Sequence, residues 1–145
     1  PGLAEGPLIG GNLALVVSLL GSSDAPDTDG AIVVLEDVNE APYRVDRMLT
    51  QARRAGLFDR AAGVAFGSFV GCDAPPGTEA TDLAYVLRTF AEAVAIPVVT
   101  GFPFGHRPRG WSFPIGCAAR LDATDPKRAA ALELLDSATE IRGDA

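Results

Sequence analysis

Ala31-Ile-Val-Val-Leu-Glu-Asp37 decides the fold of this chain. Five apolar residues follow one another without a polar interruption, and two carboxylates stop the run. A continuous run, rather than an alternating one, is what a strand covered on both faces requires. After it, Asn39 to Pro42 opens a helix over residues 43–55, with Gly56 as its stop. Val45, Met48, Leu49 and Ala52 fall on one side of that helix, the spacing of a core-facing stripe. A second buried strand is expected at 61–66, ending at Gly67-Ser68, and 72–77 reads as loop. Thr81 is expected to cap a helix over 82–95, with Leu83, Val86, Leu87, Phe90 and Val94 facing inward. Residues 96–100 give a third short strand. The order β-α-β-α-β, with connections long enough for crossover helices, predicts parallel strands and right-handed crossovers. The expected class is α/β with a small parallel β-α-β-α-β core.

Working outward from this centre, Gly10-Gly11-Asn12 precedes an apolar segment at 13–20 that Gly21 closes. Asn12 suits an N-cap and Gly21 a C-terminal stop, which predicts a short, well-buried helix. The two glycines follow no strand in this reading and lack a full Gly-x-Gly-x-x-Gly pattern. They are therefore expected to serve backbone packing rather than anion binding. Residues 22–30 form a turn-rich loop. Beyond the centre, 113–122 and 130–136 read as two additional C-terminal strands joined by a turn at Thr124-Asp-Pro126. The second of them also carries helical propensity in Ala-Ala-Leu-Glu-Leu-Leu.

With 145 residues, 48% of them hydrophobic and 21% charged, the chain suits one domain with a real core. No apolar run approaches the roughly 18 residues a membrane span needs, the longest being 13–20. A formal net charge of −7 argues against a phosphate-backbone partner. Arg44, Arg47, Arg53, Arg54 and Arg60 are interleaved with Asp46 and Asp59, as on a solvated helix face, so neither nucleic acid nor membrane is expected as a partner. Cys72 and Cys117 show no metal-ligand or redox spacing and read as structural thiols. One histidine among scattered acids gives no metal site, and no cofactor is expected. The first residue is Pro1 rather than Met, which implies a processed chain or an excised piece.

In an open parallel sheet, ligands are met outside the carboxyl ends of the strands. Glu36-Asp37, Gly67-Ser68 and the Gly- and Pro-rich stretch Gly101-Phe-Pro-Phe-Gly-His106 occupy those ends, and His106 is the sole histidine. Glu36 and His106 are thus expected on one edge of the sheet, seventy positions apart in sequence. A carboxylate there accepts an imidazole N–H, fixes the tautomer and stabilises the imidazolium. Alternatively, Glu36 caps the helix that begins near Asn39, or pairs with Arg47. A nucleophile is missing. None of the serines at 18, 22, 23, 68, 112 and 137 lies in a Gly-x-Ser-x-Gly elbow, and Ser68 reads as a loop serine. Cys72 has nothing nearby to lower its pKa. The chain carries two-thirds of a catalytic triad.

Gly10-Gly-Asn-Leu13, Leu35-Glu-Asp37, Pro42-Tyr-Arg-Val-Asp-Arg-Met-Leu49, Gly101-Phe-Pro-Phe-Gly-His106 and Pro114-Ile-Gly116 stand in this order along the chain. Together they resemble the C-terminal domain of the LD-carboxypeptidase family of serine peptidases, which includes muramoyltetrapeptide carboxypeptidases and microcin C self-immunity proteins. The resemblance runs from about Gly6 to Leu121. It implies a swivelling β/β/α fold and a Ser-Glu-His triad in which Glu36 and His106 are the two C-terminal members. It further implies that residues 1–145 are a C-terminal catalytic domain, with the nucleophilic serine and oxyanion hole on an absent N-terminal domain. The implied reaction removes the terminal D-alanine of a murein tetrapeptide during cytoplasmic recycling, by a homodimer. Two alternatives are cleavage of a peptidyl or aminoacyl nucleotide, as in the immunity branch, and a non-catalytic binding or dimerisation module.

Overall fold

A computed structural model describes residues 2–74, 82–124 and 130–135. Among them lie β1 (Leu3–Asn12), α1 (Leu13–Leu19), β2 (Ile32–Val38), α2 (Pro42–Arg54), β3 (Gly63–Val70), α3 (Leu83–Ala93), β4 (Val98–Val99), β5 (Ala118–Asp122) and β6 (Ala131–Leu134). They build one sheet in the order β4-β3-β2-β1-β5-β6. Pairing is parallel from β1 through β2 and β3 to β4. β5 runs antiparallel to β1, and β6 antiparallel to β5. The molecule is therefore α/β with a parallel core and added C-terminal strands, as expected, but the parallel core has one strand and one helix more than the sequence suggested.

The buried run in β2 separates two cores. Val33 and Leu35 pack with α1, α2 and α3, around Leu13, Val45, Leu49, Phe66 and Phe90. Ile32 and Val34 pack on the other face, with Leu8, Ala65, Phe102, Phe104 and Leu121. Alternate side chains of a strand point to opposite faces, so a strand flanked by both layers has to be apolar at every step. This is why the run contains no polar residue before Glu36.

Helix starts and stops follow local chemistry. The Asn12 carboxamide accepts the Leu15 N–H at 3.1 Å, capping α1 as expected. Pro42 occupies the first turn of α2, and Gly56 follows its end at φ +82°. The stripe Val45, Met48, Leu49 and Ala52 is buried, whereas Arg44, Arg47, Arg53, Arg54 and Arg60 are all exposed. Asp82 caps α3 by accepting from the Tyr85 N–H; the proposed cap Thr81 lies outside the described residues.

Several expectations are corrected. Gly10-Gly11-Asn12 does follow a strand: it is the end of β1, whose Leu3-Ala-Glu-Gly-Pro-Leu-Ile-Gly-Gly-Asn carries too many glycines and a proline to read as one. Pro7 is tolerated because it sits at a changeover. Pairing with β5 ends at Pro7, and pairing with β2 begins at Leu8. Helix α1 is buried on one face only, since Leu15 is 67% exposed. β2 continues past Glu36 to Val38 through a register shift, and Ser68 lies inside β3 rather than in a loop. β4 shrinks to Val98–Val99 and β5 begins at Ala118 rather than Phe113. Residues 131–134 form a strand despite their helical propensity, because β5 offers a ladder to pair with. The turn at 124–126 falls largely outside the described residues, as does Asp136.

The packing role assigned to the glycines holds at Gly10. Its φ is +138°, and a Cβ there would collide with the Val34 carbonyl oxygen. Gly11 has a similar φ of +148° but open space around it. Gly11→Ala should therefore cost about 1–2 kcal/mol of stability from backbone strain, and Gly10→Ala about 3–5 kcal/mol once the collision is added. Chemical denaturation measures both, and equal losses would show that the Val34 carbonyl is not the limiting contact.

Candidate active site

The carboxyl ends of β1, β2 and β3 and the segment after β4 supply Asn12, Glu36, Asp37, Ser68 and His106. Alternation along β2 sends consecutive carboxylates to opposite faces. Glu36 turns toward the segment containing His106, and Asp37 toward α1. Both are buried, at 6% and 2% exposure. A buried carboxylate is costly unless donors meet it, and each has found them.

Glu36 Oε2 lies 2.7 Å from Nδ1 of His106 and also accepts the His106 backbone N–H at 3.2 Å. One oxygen thus holds both the ring and the main chain of the same residue. The approach requires Gly105, whose φ is +102°. A Cβ at that position would lie 2.6 Å from Glu36 Oε2 and 2.8 Å from Glu36 Cβ. The two sequence-predicted residues are brought together, and neither alternative partner for Glu36 is seen. Ala41 is the N-cap of α2, without a side-chain cap bond, and Arg47 is exposed.

The imidazole side chain is 57% exposed while its Glu36 partner is 8% exposed. The ring is therefore anchored at its buried edge and open at the other. With Nδ1–H on the carboxylate, the neutral ring keeps its lone pair on Nε2, the atom facing outward. The hydrogen bond to Glu36 raises the His106 pKa above its ordinary value. The charge of Glu36 and, further off, that of Asp37 add to the rise, and the little desolvation opposes it.

Asp37 accepts from the Asn12 carboxamide N–H at 3.0 Å, the Ala14 N–H at 3.0 Å and its own neighbour Val38 N–H at 2.8 Å. It therefore ties the start of α1 to the end of β2, directly beside Glu36. The sequence reading missed this link. Its signal was the second acid at the end of an apolar strand, next to a helix start. Ser68 is also committed: its hydroxyl donates to the Phe104 carbonyl at 2.8 Å. Both cysteines are free thiols. Cys72 is buried, accepts the Glu40 N–H through Sγ at 3.4 Å, and is pushed to higher pKa by burial, which suits a structural thiol. Among the described residues, no group of three or more His, Cys, Asp or Glu could hold a metal ion, and no helix is long and apolar enough to cross a membrane.

A single histidine makes this pair directly readable. In an NMR titration, the His106 midpoint should lie above about 6.5 and fall back toward it in Glu36→Gln. A folded-state pKa above the unfolded value means that the contact stabilises fully at pH below about 6.5. That stabilisation disappears as pH rises through the folded midpoint. An unshifted wild-type midpoint would show that the contact does not hold in solution.

Residues 5–121 match the family described as the LD-carboxypeptidase C-terminal domain. The chain is 41% identical to a putative carboxypeptidase of Synechocystis over 121 residues, covering 83% of this chain and 40% of that protein. It is 36% identical over 125 residues to the probable murein peptide carboxypeptidase of Bacillus subtilis, covering 86% and 39%. The crystal structure of the muramoyltetrapeptide carboxypeptidase from Oxalobacter formigenes superimposes with a TM-score of 0.84 at 33% identity, over 93% of this chain and 47% of that one. The chain thus spans about two-fifths of the length of these curated relatives. By the family match and by these identities, the chain belongs to the LD-carboxypeptidase C-terminal domain family.

Proposed function

We propose that this chain supplies the acid and the base of a Ser-Glu-His triad that hydrolyses the L,D-peptide bond of murein tetrapeptides, releasing the terminal D-alanine. The observation that carries the reading is the 2.7 Å contact between Glu36 Oε2 and Nδ1 of a half-exposed imidazole. A carboxylate on Nδ1 leaves Nε2 as the basic atom, the arrangement a hydroxyl nucleophile needs. The printed functions of the murein peptide and muramoyltetrapeptide carboxypeptidases support the substrate class.

In this reading the serine belongs to residues outside this sequence, which agrees with the share of its relatives that the chain spans. His106 Nε2 takes the serine proton as Oγ attacks the scissile carbonyl. The imidazolium formed is stabilised by Glu36, and it returns the proton to the departing amine of D-alanine. Water then enters by the same route, with His106 again as base. The resemblance in sequence also carries the expectation of a cytoplasmic homodimer.

The chain by itself is expected to release no D-alanine from the tetrapeptide; turnover that vanishes in Ser68→Ala would overturn the external nucleophile. In the protein that includes the serine, His106→Ala should lower kcat by roughly 10³–10⁴, by analogy with removal of triad members. A base must be neutral to act, so kcat/KM should rise with pH through the elevated His106 pKa. That limb should move to lower pH in whatever activity survives in Glu36→Gln. Wild-type rates in His106→Ala would refute the role. Hydrolysis of an aminoacyl-sulfamoyl adenylate, with the tetrapeptide untouched, would assign the protein to the nucleotide-cleaving branch instead.

A further inference from the structure

The segment that carries His106 has no strand or helix of its own after β4, yet its backbone is held at successive points by β3 and β2. Phe102 donates its N–H to the Phe66 carbonyl at 3.1 Å. The Phe104 carbonyl then accepts two hydrogen bonds from one residue, the N–H of Ser68 at 2.8 Å and the hydroxyl of Ser68 at 2.8 Å. Two residues on, the His106 N–H reaches Glu36 on β2. Room for this docking comes from Gly67, where a Cβ would lie 2.5 Å from the Phe104 ring and 2.7 Å from its carbonyl oxygen. From the other side Phe104 is fixed by an edge-to-face contact with Phe113, with ring centroids 4.8 Å apart.

We propose that Ser68 is a positioning residue for His106: by holding the Phe104 carbonyl with two donors, it sets the chain direction through Gly105 and so delivers the imidazole to Glu36. The peptide after Phe104 is clamped on β3, and the one before His106 is clamped on β2. Only Gly105, at φ +102°, lies between them. A main chain pinned on both sides of one residue leaves the following side chain little freedom to drift. Calling this a contribution to catalysis rests on the function proposed above; the geometric claim does not.

The lone imidazole again gives the readout. Ser68 carries no charge, and the charged groups acting on the ring are Glu36 and Asp37. Any change in the titration on altering Ser68 must therefore come through the position of the ring. In the intact chain, Ser68→Ala should shift the His106 protonation equilibrium about two- to five-fold toward the neutral form, in the direction of Glu36→Gln. Ser68→Thr, which keeps the hydroxyl, should restore it. A merely structural role would lower the denaturation midpoint and leave the titration where it was. An unchanged His106 midpoint in folded Ser68→Ala would overturn the proposal. Should alanine fail to fold, an unchanged midpoint in Ser68→Cys, a weaker donor of similar shape, would do the same. The two readings fail separately: an inactive serine-containing protein with a shifted Ser68→Ala titration loses the proposed function and keeps the positioning role, and the reverse result does the opposite.

Discussion

One carboxylate oxygen, Oε2 of Glu36, accepts from the backbone of His106 and meets its ring, and the rest of the site is arranged around that double contact. The acid is on β2 and the histidine beyond β4, so the contact can exist only if the parallel sheet brings both strand ends to one edge. A buried anion would be a liability without such donors. Here the same donors that neutralise the liability also orient the base. Stability and chemistry are linked through one atom, and the imidazole is left anchored on one side and open on the other.

The neighbouring acid does a different job by the same rule of alternation. Asp37 points to the helical layer, where it binds Asn12 and the first turn of α1. Glu36 and Asp37 thereby fasten the two layers on either side of β2 to the same strand end. The helical core around Leu13, Val45 and Phe66 and the aromatic core around Phe102, Phe104 and Leu121 are held in fixed relation at the point where the site lies. A strand interior that is apolar on both faces, ended by two acids, is the covalent expression of that arrangement.

Glycines set how closely the pieces approach. Gly10 lets β1 pass the Val34 carbonyl, Gly67 lets Phe104 settle on β3, and Gly105 lets Glu36 reach past the main chain to His106. At each position a methyl group would occupy space that an oxygen, a ring or a carboxylate already fills. The tolerance for a side chain, rather than any intrinsic flexibility, explains these residues.

What the sequence by itself determined was the part governed by local pattern. The apolar run 31–35, the stripe of α2, the cap at Asn12 and the placement of Glu36 and His106 at strand ends were all legible, because period, capping chemistry and burial are read over a few residues. β1 was not legible. Its glycines and proline have low strand propensity, and it becomes a strand only because β2 on one side and β5 on the other complete its hydrogen bonds. Ser68 read as a loop residue for the same reason: its partner, the Phe104 carbonyl, lies thirty-six positions away. Tertiary structure alone decided which carboxylate faces the histidine, since Glu36 and Asp37 are adjacent in sequence and differ only in the face of the sheet to which the pleat directs them.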